Sequence, residues 1–285
     1  MKIKTLLLAA LVPLMCNAAD VTTVKLWENG APNSNGLTQR TEENHRYVYG
    51  VTDSELQVYL PDKPITEKLV LICPGGGYKF VSMLYEGNKV AEWFRDQGIP
   101  SAVFLYRLPN NNKEILTSDV ERAFDIIREN ADKWKISPDS VGLMGFSAGG
   151  HLASYYSNVY KPGNRPAFSI LIYPVTTFDE DIAHSDTRWN FLSDVNSKQE
   201  EAACSPLNLV TTDTPPTFIA VGRNDRLYPD SELYREALDA KKVPHLFLVF
   251  PPGGHGWGIK ESFPYRDAWL SSLRSWLMQL KPAKK

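Results

Sequence analysis

The chain carries one short run whose residue types and spacing suit nucleophilic chemistry: Gly145-Phe146-Ser147-Ala148-Gly149-Gly150. It follows the apolar stretch Val141–Met144 and precedes residues of helical pattern beginning near Ala148. A serine between a buried strand and a helix sits at the tip of a sharp turn with strained backbone angles. Side chains two positions before and after it would collide, so glycine is required at both. The helix N-terminus then favours negative charge beside the hydroxyl. A serine hydroxyl is a weak nucleophile and needs a base. Of the 5 histidines, His45 lies in an irregular region, His151 follows the serine too closely, His184 sits in a polar excursion and His245 opens a strand. His255 lies in Pro251-Pro252-Gly253-Gly254-His255-Gly256-Trp257, after the last strand, where α/β sheets gather their ligands. The base needs a carboxylate to fix its tautomer and to stabilise imidazolium. Asp225, in Gly222-Arg223-Asn224-Asp225 after the preceding strand, is the candidate, and the competing Asp230 is expected to cap a helix instead.

Developing negative charge needs donors. Cys73-Pro74-Gly75-Gly76-Gly77-Tyr78 ends another apolar strand, and its glycines let backbone approach a substrate oxygen closely. The N–H groups of Gly76 and Gly77 would join that of Ala148, the residue after the serine. A phosphate-binding loop is the rival reading, but no Gly-Lys-Ser/Thr follows.

These pieces must be positioned by an alternating framework. Strands are expected at Leu56–Leu60, Leu69–Cys73, Ser101–Tyr106, Val141–Gly145, Ser169–Tyr173, Thr217–Val221 and Leu246–Phe250. Several are apolar throughout, as buried parallel strands are. Helices are expected over Glu86–Gln97, stopped by Gly98, over a segment opened by a Ser118/Glu121 capping box, from Asp230 towards Ala240, and over Arg266–Leu280. Residues 20–46 look irregular. The rhythm gives an α/β fold with a mostly parallel central sheet and helices on both faces. Phe178–Leu209 breaks it as a polar, helix-like excursion, expected to be a small cap.

The composition, 285 residues with 43% hydrophobic and 22% charged, is that of a globular chain. A net charge of −2 without a long run of one sign leaves no footprint for nucleic acid or an anionic membrane. Lys2 and Lys4, the apolar Leu6–Met15 and the small Ala18 and Ala19 read as a signal peptide over residues 1–18, with residues 19–285 as one domain, secreted or periplasmic. Cys16 raises a lipoprotein alternative, disfavoured by Pro13 and Met15. Cys73 and Cys204 remain, a bonded pair or, more simply, two buried thiols. Cysteines and histidines form no metal-ligand cluster, and no metal or cofactor is expected.

At these residues the chain resembles the α/β-hydrolase superfamily, over about residues 47–280, and within it the acetyl esterase branch related to hormone-sensitive lipase. Pro74 stands where that branch usually has histidine. The Pro-Gly-Gly-Gly-Tyr form, with Leu26-Trp27-Glu28-Asn29-Gly30-Ala31-Pro32, Tyr106-Arg107-Leu108-Pro109 and Ser205-Pro206-Leu207, is similar to secreted bacterial carbohydrate esterases of the acetylxylan esterase kind. The resemblance implies a serine esterase removing acetyl groups from an acylated carbohydrate, with Ser147 attacking, His255 moving the proton and Asp225 orienting it. Feruloyl esterase, short-chain carboxylesterase or lipase are the nearer alternatives. A prolyl-oligopeptidase-type peptidase would need a large extra domain, and a non-catalytic binder would typically lack a triad member. A lipase lid would be broadly apolar, whereas Asp181, Asp186, Arg188, Asp194 and Lys198 make the excursion polar. Trp189, Trp257 and Tyr78 could stack on sugar rings, though packing accounts for each more simply.

Overall fold

Runs such as Leu69-Val70-Leu71-Ile72-Cys73 have no polar side chain to offer water on either face, so they take central places in a covered sheet. The computed structural model describes residues 21–179, 182, 186–192 and 197–281. Its strands are β1 (Thr22–Lys25), β2 (Thr41–Glu43), β3 (Tyr47–Tyr49), β4 (Glu55–Tyr59), β5 (Leu69–Cys73), β6 (Phe80–Ser82), β7 (Ser101–Leu105), β8 (Val141–Phe146), β9 (Ser169–Ile172), β10 (Thr217–Gly222) and β11 (His245–Phe250). The helices are α1 (Lys89–Asp96), α2 (Lys113–Glu129), α3 (Ala131–Trp134), α4 (Ala148–Val159), α5 (Thr187–Phe191), α6 (Lys198–Ala203), α7 (Tyr228–Ala240) and α8 (Arg266–Gln279). The main sheet has the order β1-β4-β7-β5-β8-β9-β10-β11. β1 and β4 run antiparallel to their neighbours and the other pairings are parallel. All seven expected strands are present to within a residue at each end.

Chain order reverses beside β5, which has β7 on one side and β8 on the other. Right-handed crossovers therefore put α1 on one face and α2 and α4 on the other. Such a reversal opens a crevice at the strands' C-terminal ends. Register makes that crevice level. Cys73 pairs with Gly145, so the loops after β5 and β8 leave the sheet together. Gly222 pairs with Phe250, so the loops after β10 and β11 do the same.

Three expectations fail. Residues 20–46 are not wholly irregular: β1 lengthens the sheet edge, and β2 joins β3 and β6 in a small antiparallel sheet. Ser118 and Glu121 form no capping box, because α2 begins earlier, at Lys113, with the Asn112 side chain accepting from Glu114 N–H. Ser118 lies inside that helix and donates to Ile115 O. Asp230 is not an N-cap either. It sits buried in the first turn of α7, where its carboxylate accepts Thr176 N–H at 2.9 Å, and burial pushes its pKa up to about 7. Val120, Ala123, Phe124, Ile127, Ala131 and Trp134 form the buried face of α2 and α3.

Two of the segments singled out in the sequence, Leu26–Pro32 and Tyr106–Pro109, meet in one buried clamp. Arg107 grips Asp119 through Nε and Nη2, with its own N–H to Oδ2, and donates Nη1–H to Asn33 O. Trp27 Nε1 donates to the same carboxylate at 2.8 Å. Both charges are essentially inaccessible to water. The N-terminal arm is thereby fixed to the start of α2. No helix among the described residues is long and apolar enough to cross a membrane. The proposed leader, residues 1–18 with Cys16, lies outside the described residues, as does His184.

Removing one partner of this pair strands the other's charge. Asp119→Ala is expected to lower unfolding free energy by about 3–5 kcal/mol, measured by urea denaturation at neutral pH. A loss below about 1 kcal/mol would show that water reaches Arg107 after all.

Candidate active site

Ser147 ends β8 and precedes α4 with φ 53° and ψ −118°, a conformation that L-residues avoid. Three backbone bonds hold it there: Ser147 N–H to Ile172 O, and Val175 N–H and His151 N–H to Ser147 O. The glycine requirement is met through backbone contacts. A Cβ on Gly145 would stand 2.0 Å from Gly149 O, and one on Gly149 would stand 2.0 Å from Cys73 O. The second glycine is thus needed for the approach of α4 to β5, rather than for a contact between the two flanking side chains.

His255 and Asp225 arrive from neighbouring loops. The His255 Nδ1–H donates to Asp225, 3.0 Å from Oδ1 and 2.9 Å from Oδ2. That fixes the tautomer, so Nε2 accepts from the Ser147 hydroxyl at 2.9 Å. The Asp225 side chain is fully buried and also accepts Leu227 N–H, whereas the His255 side chain is partly open to the groove. Asn224, which sequence reading passed over, locks the two loops together. Its Oδ1 accepts Gly253 N–H and Gly254 N–H at 2.9 and 2.8 Å. A triad is therefore assembled from residues distant in sequence.

Gly76 and Gly77 line the same groove as Ser147 and His255. Both have positive φ, 129° and 61°. Among the described residues neither N–H has a protein acceptor, and Ala148 N–H is a first-turn donor of α4. The three sequence-derived donors are thus grouped around the serine. The Gly77 carbonyl accepts Asn190 Nδ2–H from α5, and Lys79 pairs with Asp186, so described parts of the 178–209 excursion border the groove. The groove is about 390 Å³ in volume and mixes aromatic Tyr47, Phe80 and Tyr85 with charged Arg226 and Lys260. Pro74 has no N–H, and its carbonyl accepts the Tyr106 hydroxyl at 2.6 Å, which anchors the loop from below.

The remaining candidates fall elsewhere. His45 is exposed beside Glu42, and His245 bonds Val243 O. Trp257 is buried against Phe263 and Tyr173, and Tyr78 is buried too. Only Trp189 among these three aromatics is open, 48% exposed with the Arg188 guanidinium above it. Cys73 and Cys204 are separate buried thiols. Among the described residues no group of histidine, cysteine and carboxylate side chains is placed to hold a metal.

A model of the alpha/beta hydrolase fold matches residues 70–259, and the chain belongs to that family. It is 36% identical over 259 residues to an acetylxylan esterase of Xylanibacter ruminicola, covering 87% of this chain and 53% of that protein. It is 32% identical over 240 residues to endo-1,4-beta-xylanase B of Butyrivibrio fibrisolvens, covering 77% of this chain and 37% of that one. The chain thus spans about half, or less, of the length of these curated relatives. Among solved structures, an acetyl ester-xyloside bifunctional hydrolase from Caldicellulosiruptor lactoaceticus superposes with a TM-score of 0.76 at 28% identity. That match covers 90% of this chain and 95% of the other.

His151 supports the site from behind. Its Nε2–H donates to Cys204 O at 2.9 Å, so Nδ1 accepts the Tyr78 hydroxyl, also at 2.9 Å. Burial lowers its pKa from 6.5 to about 4. The unfolded chain therefore binds an extra proton between those values, and this histidine weakens the fold as pH drops through that window. Between pH 7 and 5 the loss is about 2 kcal/mol. In His151→Gln the fall in unfolding free energy from pH 7 to 5 should be smaller than in wild type by about that amount. Equal falls would mean that His151 titrates normally in the fold. The comparison of variant with wild type cancels Asp230, whose raised pKa acts in the opposite sense.

Proposed function

We propose that this protein is a serine esterase that removes small acyl groups, acetyl above all, from hydroxyls of a plant polysaccharide such as xylan. The observation that carries the reading is the unbroken relay Ser147–His255–Asp225, with hydrogen bonds of 2.9 Å at both imidazole nitrogens. His255 Nε2 takes the hydroxyl proton as Ser147 Oγ attacks the ester carbonyl carbon. The charge that develops on the carbonyl oxygen is received by the N–H groups of Gly76, Gly77 and Ala148. The imidazolium, steadied by Asp225, returns its proton to the departing sugar oxygen. A water then gives its proton to His255 and attacks the acyl-enzyme, which releases acetate and restores the serine.

Substrate class rests on the relatives and on the groove. The relatives act, by name, on acetylated xylan and on xylan itself. The groove places aromatic rings of Tyr47, Phe80 and Tyr85 beside charged side chains, a surface suited to sugar and unlike the broad apolar floor that a long acyl chain needs. Residues 1–18 are read as a leader for export, which identification of the mature N-terminus by mass spectrometry would test.

Ser147→Ala should lower kcat on 4-nitrophenyl acetate by roughly four orders of magnitude with the fold intact. Equal turnover by variant and wild type would overturn the mechanism. Wild type should cleave acetyl esters with higher kcat/KM than octanoyl or feruloyl esters, and should release acetate from acetylated xylan. A reversed order would assign it to lipases or feruloyl esterases.

A further inference from the structure

Leu84–Asn88, just before α1, is a π-helical turn. This i→i+5 geometry is rare in proteins and recurs at functional sites. It carries Glu86, only 6% exposed, at the back of the serine's groove. Glu86 Oε2 accepts Gly75 N–H at 2.9 Å, directly before the oxyanion donors Gly76 and Gly77. Its Oε1 accepts the Tyr173 hydroxyl at 2.8 Å. Tyr173 oxygen in turn accepts Gly258 N–H at 2.9 Å, three residues beyond His255. The same turn holds the histidine loop a second time, through Ile259 N–H to Tyr85 O.

The fit is close on both sides. A Cβ on Gly75 would stand 2.8 Å from Glu86 Oε2, and one on Gly258 would stand 2.4 Å from Tyr85 O. Both loops are therefore built down onto this turn. The Tyr173 ring also lies 4.8 Å from the His255 ring, which sets the position of the imidazole.

Electrostatics gives a second reason. Among the described residues Glu86 has no ion-pair partner within 4 Å, unlike the buried Asp119. Burial pushes its carboxyl up, while Tyr173, Gly75 N–H and the charges of His255 and Lys260 pull it back. The groups facing the network are Tyr106 after β7, Tyr173 after β9, Asp225 after β10, and His255 and Lys260 on the last loop. In the resting arrangement His255 Nδ1–H faces Asp225 and Nε2 accepts from Ser147. When Ser147 gives up its proton, a positive charge appears beside Glu86 that was absent before. An interaction gained only then lowers the barrier rather than KM.

We propose that Glu86 is a positioning residue, resting on the esterase reading of Ser147 and His255. Its carboxyl group ties the oxyanion loop at Gly75 to the histidine loop at Gly258 through Tyr173 and, when ionised, places a second negative charge behind the imidazole. Glutamine cannot do both, because it carries no charge and its NH₂ takes the place of one of the two accepting oxygens. Tyr173→Phe cuts the tether and keeps the charge.

The experiment uses the purified full chain. With 4-nitrophenyl acetate, Glu86→Gln and Tyr173→Phe should each lose about ten- to a hundredfold in kcat, with KM within about threefold. The acid limb of the kcat/KM profile should move to lower pH in Glu86→Gln, since a negative charge near imidazolium is lost, and stay in place in Tyr173→Phe. Wild-type kcat in both variants, or an acid limb unmoved in Glu86→Gln, overturns the proposal. If Glu86→Gln does not fold, the kcat and KM of Tyr173→Phe decide the tether. If wild type itself cleaves no ester, the esterase reading fails separately. NMR titration of His255, which needs no substrate, then still tests whether Glu86→Gln lowers its pKa.

Discussion

The left-handed backbone of Ser147 is the constraint on which the rest depends. A residue held in that region costs on the order of 1–3 kcal/mol, and it stays there only if its surroundings over-determine it. Ile172, Val175 and His151 supply three backbone bonds to the N–H and carbonyl of this one residue. Gly145 and Gly149 supply the missing Cβ atoms that let α4 close onto β5 and β8. A turn so fixed leaves the Oγ little choice of direction, so the imidazole must be brought to it. That need accounts for the extra bonding on the histidine side: Asn224 across two loop amides, Tyr173 at Gly258 and Tyr85 at Ile259.

Buried carboxylates show how this molecule spends polar burial. Asp119 neutralises Arg107 and fixes the N-terminal arm. Asp225 orients His255 towards Ser147. Asp230 accepts Thr176 N–H and joins α7 to the loop after β9. Glu201 grips Arg188 and secures the described part of the excursion. Each lies at a junction that packing alone would leave free to slide. Burial of a charge is costly, and its use here is placement rather than net stability.

Legibility in the sequence follows the same physics. The central strands were readable because a strand covered on both faces has no polar position to disguise it. The Ser147, Asp225 and His255 loops were readable because each follows such a strand and carries glycine. β1 and β2 were missed because both are exposed edge segments whose residues alternate without an apolar stripe. The start of α2 was misjudged by six residues, from Ser118 to Asn112. A local Ser-x-x-Glu match gave no warning that the helix had already begun, and Ile115 and Leu116 were the apolar residues that marked it. Glu86 was read as an ordinary helix start, since a π-helical turn has no period of its own in the sequence. Its only trace was the neighbouring Gly87, where a Cβ would meet Val103 at 2.9 Å.

The small β2-β3-β6 sheet gives these misses a common meaning. β6 begins two residues after Tyr78, so the sheet continues directly from the Gly75–Gly77 loop. It brings Tyr47 and Phe80 to the groove, their rings 4.9 Å apart, next to Gly76 and Gly77. Facing them, Asp186 and Thr187 come from the excursion between β9 and β10. The groove around Ser147, set by four strand ends, is thus walled by two segments that the α/β rhythm does not require. The Ser147–His255–Asp225 arrangement and the walls of its groove are separated along the chain. The first could be read from glycine, serine and histidine spacing, whereas the second is written in surface segments whose pairing only the folded chain reveals.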